Sequence, residues 1–183
     1  MSKAVIFFAP GLEECEGLLV VDILRRAGVD VTIAAVGGDR TVLSSHRVLI
    51  TADAMAADIR PEDFDACILP GGLKGVENLA ADADVRRVAT ACAGAGKIVA
   101  AICAGPTALA GFGLLEGKHA TVYPGMDDKM AGAVCTGAEV TVDGSITTGR
   151  ALGAAIPFAL ELAAQLAGKP ASDRVRQAIV YPY

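Results

Sequence analysis

The chain has 183 residues, is 53% hydrophobic but only 4% aromatic with no Trp, and carries a formal net charge of −5. That length suits one domain, residues 1–183, with a substantial core that must be built from Ala, Val, Leu and Ile. No basic cluster could neutralise several phosphates, which argues against nucleic acid as a direct partner, and no apolar run approaches the roughly 18 residues of a membrane span. The opening MSKAVIFFAPGLEE turns acidic where an export signal would show its cleavage site. Five cysteines without a C-x-x-C pair then read as reduced thiols of a cytoplasmic protein. The only histidines, His46 and His119, offer no metal-ligand spacing, and no cofactor is implied.

Residues 4–9 (AVIFFA) form a buried strand stopped by Pro10-Gly11. A helix is expected from Leu12 to Ala27, with acids early, Arg25-Arg26 late and Gly28 as its stop. DVTIAAV (30–36) completes a β-α-β unit. Thr41–Ala52 reads as two short strands, or one bent strand, around Ser44-Ser45-His46-Arg47. Asp65–Leu69 is a strand running into the tight loop Pro70-Gly71-Gly72. Asp84–Ala95 is a helix closed by Gly96, and Lys97–Ile102 is the next strand, followed by a helix with Pro106 in its first turn. Ala120–Tyr123 is expected as a strand, and EVTVDGSITT (139–148) as a hairpin turning at Asp143-Gly144. A long helix is expected over Arg150–Ala167, capped by Gly168, and a last helix capped by Ser172 before the tail IVYPY.

Alternating strands and helices imply an α/β domain whose mostly parallel sheet is covered on both faces. In such sheets, sites lie beyond the carboxyl ends of the strands. Three loops qualify: Pro10–Glu16, Pro70–Gly75 and Cys103–Pro106. In AICAG (101–105) a thiol sits at a strand-to-helix junction among small residues, the pattern of a nucleophile elbow. A helix N-terminus there would favour thiolate, lowering a thiol that ordinarily titrates near ~8.5, and its N–H groups could stabilise an oxyanion. Cys67 and Cys92 suit the core, whereas Cys15 beside the acidic loop could be a second redox thiol. Histidine, the usual proton acceptor, is scarce, so the acids of GLEECEG come forward. A buried, protonated carboxyl would donate to the thiolate, whereas an ionised one would repel it. Glu16, close to the apolar run Leu18–Val21, is the candidate for burial. LPGG (69–72) is first a turn, able also to aim an N–H at the thiol. No G-x-G-x-x-G follows the first strand, which speaks against a dinucleotide site.

Taken together, APGLEECE (9–16), VDILRRAG (21–28), ILPGG (68–72), AAICAGPTAL (100–109), DDKM (127–130), TTGRALG (147–153) and the terminal IVYPY give a chain that resembles the ThiJ/PfpI superfamily, in the DJ-one/YajL-like branch. The resemblance implies a flavodoxin-like three-layer sandwich with a small β-hairpin, usually a homodimer. It implies Cys103 as the reactive cysteine, Glu16 as its protonated partner, and Gly72 and Ala104 as oxyanion-type N–H donors. The implied activities are glutathione-independent conversion of methylglyoxal to lactate and deglycation of early glyoxal adducts on proteins. Chaperone activity and oxidative-stress sensing through a sulfinic acid on Cys103 are implied as the alternative. The implied partners are therefore a small aldehyde or dicarbonyl, or a glycated protein. Two positions depart from the pattern. Tyr123 stands where close relatives carry a histidine before proline, and a phenol is a poor base at neutral pH. His46-Arg47 replaces an arginine followed by a small or acidic residue. Arg150 matches a family arginine near the site, suited to an anion or an oxidised cysteine.

Overall fold

The computed structural model describes residues 1–182; Tyr183, the end of the IVYPY tail, lies outside them. Seven strands form one sheet in the order β10-β11-β7-β6-β1-β2-β5. Its members are β1 (Lys3–Phe8), β2 (Asp30–Ala35), β5 (Ala54–Met55), β6 (Ala66–Leu69), β7 (Ile98–Ile102), β10 (Val140–Asp143) and β11 (Ile146–Gly149). Every neighbouring pair is parallel except β10 with β11, the hairpin turning at Asp143-Gly144. The central strands are buried on both faces, so they read as continuous apolar runs rather than alternating ones. Side chains of β1 alternate between two cores. Ala4, Ile6 and Phe8 meet α1 (Glu14–Arg26), α5 (Ala155–Ala167) and α6 (Lys169–Ala178). Val5 and Phe7 belong to the core built with α2 (Leu73–Ala81), α3 (Ala83–Gly94) and α4 (Gly105–Gly111). The result is the expected flavodoxin-like sandwich. No helix among the described residues is long and apolar enough to cross a membrane.

Thr41–Ala52 becomes a separate antiparallel hairpin, β3 (Thr41–Leu43) and β4 (Leu49–Thr51), with Arg47 at φ 67° in its turn. Four local expectations change. Helix α1 starts at Glu14 rather than Leu12, because Leu12 N closes a turn onto Ala9 O at 3.0 Å. Of the expected Ala120–Tyr123 strand only Ala120 is strand, at the end of β8 (His119–Ala120), which pairs in parallel with β9 (Val134–Cys135). Helix α5 starts at Ala155, because Arg150 N still donates to Glu139 O across the hairpin and a 3-10 turn over Leu152–Ala154 intervenes. Ser172 lies inside α6, where its hydroxyl donates to Leu160 O at 2.7 Å and ties α6 to α5 instead of capping.

Candidate active site

The site is assembled where β1, β6 and β7 end. After β7 the chain turns abruptly at Cys103, whose φ of 64° is uncommon for a residue bearing a side chain. The turn is pinned on both sides: Cys103 N donates to Gly149 O and Cys103 O accepts from Tyr123 N, each at 2.9 Å. Gly105 follows with no room for a side chain, since a Cβ there would lie 2.8 Å from Leu69 O. This pinned geometry is the elbow that the small residues around Cys103 imply, and it leaves the thiol half-buried at the rim.

The loop after β6 faces it. Gly72 takes φ 91°, a conformation that favours glycine, and its amide and that of Ala104 both point at the Cys103 sulfur. Gly71 lies against the thiol and the buried acid together. A Cβ at Gly71 would collide with Glu16 Oε2 and come within 2.6 Å of Cys103 Cβ. The close approach of the PGG loop is therefore a condition for Glu16 and Cys103 to meet, a role that its reading as a turn does not reveal.

Glu16 comes from the first turn of α1 and is 1% exposed. Burial pushes its carboxyl up to about 7, with the neighbouring Glu13 charge adding to the rise. One oxygen, Oε2, is buried with no hydrogen bond of regular geometry, yet the side chain interacts directly with Cys103. An ionised carboxylate with an orphaned oxygen is costly, whereas a protonated one has a donor to offer the sulfur. The proton therefore belongs on Glu16.

The thiol itself departs from expectation. Burial first, then the charge and acceptor character of an ionised Glu16, push Cys103 up to about 12, while the Ala104 and Gly72 amides pull it down. A helix N-terminus alone does not yield a free thiolate here, because α4 is only seven residues long and the sulfur is half out of water. With Glu16 protonated, both Glu16 contributions to that rise vanish and its O–H donates to sulfur. The pair shares a proton, and thiolate is favoured only while the carboxyl holds it.

A cavity of about 340 Å³ opens over the sulfur, lined by Glu13, Glu16, Gly72, Cys103, Ala104 and Tyr123 among others. Thus the structure brings Cys103, Glu16, Gly72, Ala104 and Tyr123 together, Tyr123 half-exposed at the mouth. Arg150 does not line the cavity; its Nη1 donates to Gly137 O at 3.2 Å. Cys67 and Cys92 are buried in the core and Cys15 is exposed. Spacing along the chain does not disclose His46 as a neighbour. Its Nδ1 lies 3.0 Å from Glu14 and 3.6 Å from Glu13 because the β3–β4 turn folds over the start of α1. These three side chains bring ligand-type atoms within 4.8 Å of one another, an arrangement that the His46 contacts with the two carboxyls and the hydrogen bonds of Ser45 Oγ already account for. The one trace of it in the sequence is the departure at His46-Arg47.

Residues 2–165 match the DJ-1/PfpI family. The chain is 38% identical to the protein dj-1beta of Drosophila melanogaster over the whole of both chains. A Pyrococcus abyssi protein named a deglycase is 31% identical over 82% of this chain and 91% of its own length. The solved structure described as oxidized Toxoplasma gondii DJ-1 superposes over both chains in full with a TM-score of 0.96 at 32% identity. With kinship of this extent in sequence and in fold, the chain belongs to the DJ-1/PfpI family.

Proposed function

We propose that this protein is a cysteine-dependent enzyme of reactive dicarbonyls, converting methylglyoxal to lactate, removing early glyoxal adducts from proteins, or both. The observation that carries this reading is the strained, pinned Cys103 facing a buried acid raised to about 7 and two backbone amides. The deglycase name of the Pyrococcus relative supports the adduct side of it. The Cys103 sulfur adds to the aldehyde carbon, and the resulting alkoxide is stabilised by the Gly72 and Ala104 amides and takes the Glu16 proton. Glu16, now a carboxylate, removes the hydrogen on that carbon as a proton, and the electron pair forms an enediol. Glu16 returns that proton to the second carbon while the hydroxyl proton on the first carbon's oxygen passes to the second carbon's oxygen, leaving a lactoyl thioester. Water then cleaves the thioester, releasing lactate and the thiol. Tyr123 at the mouth can donate a hydrogen bond but is not placed as the base. A homodimer in the cytoplasm belongs to the same proposal, on the strength of the family likeness.

Steady-state kinetics with methylglyoxal test it. Cys103→Ser should abolish turnover, and Glu16→Gln should lower kcat by about 10²–10⁴-fold, the usual range for losing a general acid–base. Unchanged turnover in Cys103→Ser rules the reading out. A second reading, a redox sensor or oxidation-activated chaperone, is favoured by the same two amides and protonated acid, which would hold a sulfinate on Cys103. Mass spectrometry after mild peroxide should place two added oxygens on Cys103 before any other thiol.

A further inference from the structure

The charges around the Cys103 cavity are of one sign. Of its lining residues only Glu13 and Glu16 bear carboxyl groups, and no Lys, Arg or His lines it among the described residues. The nearby cations are engaged elsewhere. Arg150 is turned to Gly137 O, and Lys74, on the neighbouring groove, pairs with Glu77 at 2.9 Å. His46 offsets Glu13 only when protonated. Glu13 is felt inside the cavity, since its charge helps raise Glu16. The remaining wall is apolar in an unusual way: Leu73, Leu152 and Tyr123 are 68%, 45% and 48% exposed, and all three line this cavity. Large apolar side chains left open to water around a reactive centre mark a surface that a ligand covers.

We propose that the cavity selects neutral carbonyl compounds bearing an apolar substituent and rejects those carrying a carboxylate, with Glu13 as the discriminating residue. This deepens the dicarbonyl reading and rests on it for the identity of the reaction. An anionic 2-oxo acid entering the cavity meets the Glu13 carboxylate with no cation in the cavity wall to offset it, in a concave site that focuses the field. A neutral aldehyde meets no such barrier, and its apolar end covers Leu73 and Leu152. The same asymmetry acts on the product. Turning neutral methylglyoxal into lactate creates a carboxylate inside an acid-lined cavity, which drives its release.

Alkylation of the thiol tests the selectivity apart from turnover. At pH 8 the protein is reacted separately with iodoacetamide, which is neutral, and iodoacetate, which is anionic. In both, the sulfur displaces iodide from carbon. The rate constant at Cys103 is read by peptide-resolved mass spectrometry, and the ratio of the two rates is compared with that of 2-mercaptoethanol in the same buffer. The ratio cancels the fraction of thiolate, so a changed thiol pKa cannot imitate the effect. The iodoacetamide preference at Cys103 should exceed that of the free thiol by about tenfold. Because Glu16, raised to about 7, also carries charge at pH 8, the Glu13 variants are compared in a Glu16→Gln background, where the preference should collapse toward the free-thiol value with Glu13→Gln and persist with Glu13→Asp. A wild-type ratio equal to that of the free thiol, or a ratio that Glu13→Gln leaves untouched in that background, overturns the proposal. Selective alkylation without methylglyoxal turnover would sink the enzyme reading while supporting the charge filter.

Discussion

Glu16 is the residue on which the chemistry turns, and its environment has a consequence for stability as well as reactivity. The folded protein holds the Glu16 proton more tightly than the unfolded chain does, because burial raises the carboxyl from 4.5 to about 7. The contribution to stability is therefore intact below the ordinary glutamate range and is lost as pH rises through about 7. A shift of that size corresponds to about 3 kcal/mol. Glu16→Gln removes the titration while keeping the shape. Between pH 4.5 and pH 8 wild type should lose up to about 3 kcal/mol of unfolding free energy relative to Glu16→Gln, measured by urea denaturation at each pH. Parallel pH profiles for the two proteins would mean that the carboxyl titrates as though in water, and the proton-sharing pair would go with it.

At the scale of elements, what could be read from the chain followed from how local each signal is. The β1-α1-β2 unit is legible because apolar runs, charge order and Gly28 agree. Helix α2 is hidden: LKGVENLAA follows Pro70-Gly71-Gly72 and carries Gly75, a poor helix former, inside it. Its glycine is a packing requirement, since a Cβ at Gly75 would lie 2.7 Å from Leu12 Cα, and no pattern within the segment announces that contact. The two-residue strands β8 and β9 and the late start of α5 are tertiary outcomes of the same kind. Helix α3 lies between these cases, for its start is set by a cap one residue before it. Asp82 accepts from Asp84 N and Val85 N at 2.9 and 3.0 Å. Asp82→Ala should cost about 1 kcal/mol, visible as a lower urea midpoint with an unchanged slope. Because α3 lies away from the cavity, reactivity at Cys103 should not change.

Across the whole molecule, the sheet acts as the frame that brings distant segments to one point. The meeting of the Pro10–Glu16, Pro70–Gly75 and Cys103–Pro106 loops is legible because parallel strands deliver their carboxyl ends to one edge. The contact of His46 with Glu13 and Glu14, and the sharing of a proton within the buried pair, are not, because both arise from distances between elements. Cys103 comes from a central strand, its facing amide from the loop before α2, and Glu16 from α1 on the opposite face. Reactivity should therefore respond to packing that sets the position of α1, not to stability in general. Phe8 is fully buried on β1, and its ring lies so close to Gly17 that a Cβ there would be 2.7 Å away. It thus seats the residue next to Glu16. Leu115, also fully buried, belongs to the core on the other face of the sheet, away from α1. Phe8→Ala should cost about 3–5 kcal/mol and Leu115→Ala about 2–5 kcal/mol in urea unfolding. Measured under conditions where both variants remain folded, only Phe8→Ala should move the midpoint of the pH profile for Cys103 alkylation, because only there does α1 lose the ring packed against Gly17, the neighbour of Glu16. Equal shifts in both would mean that the thiol reports global loosening, and no shift in either would mean that Glu16 is held by its own loop independently of the sheet.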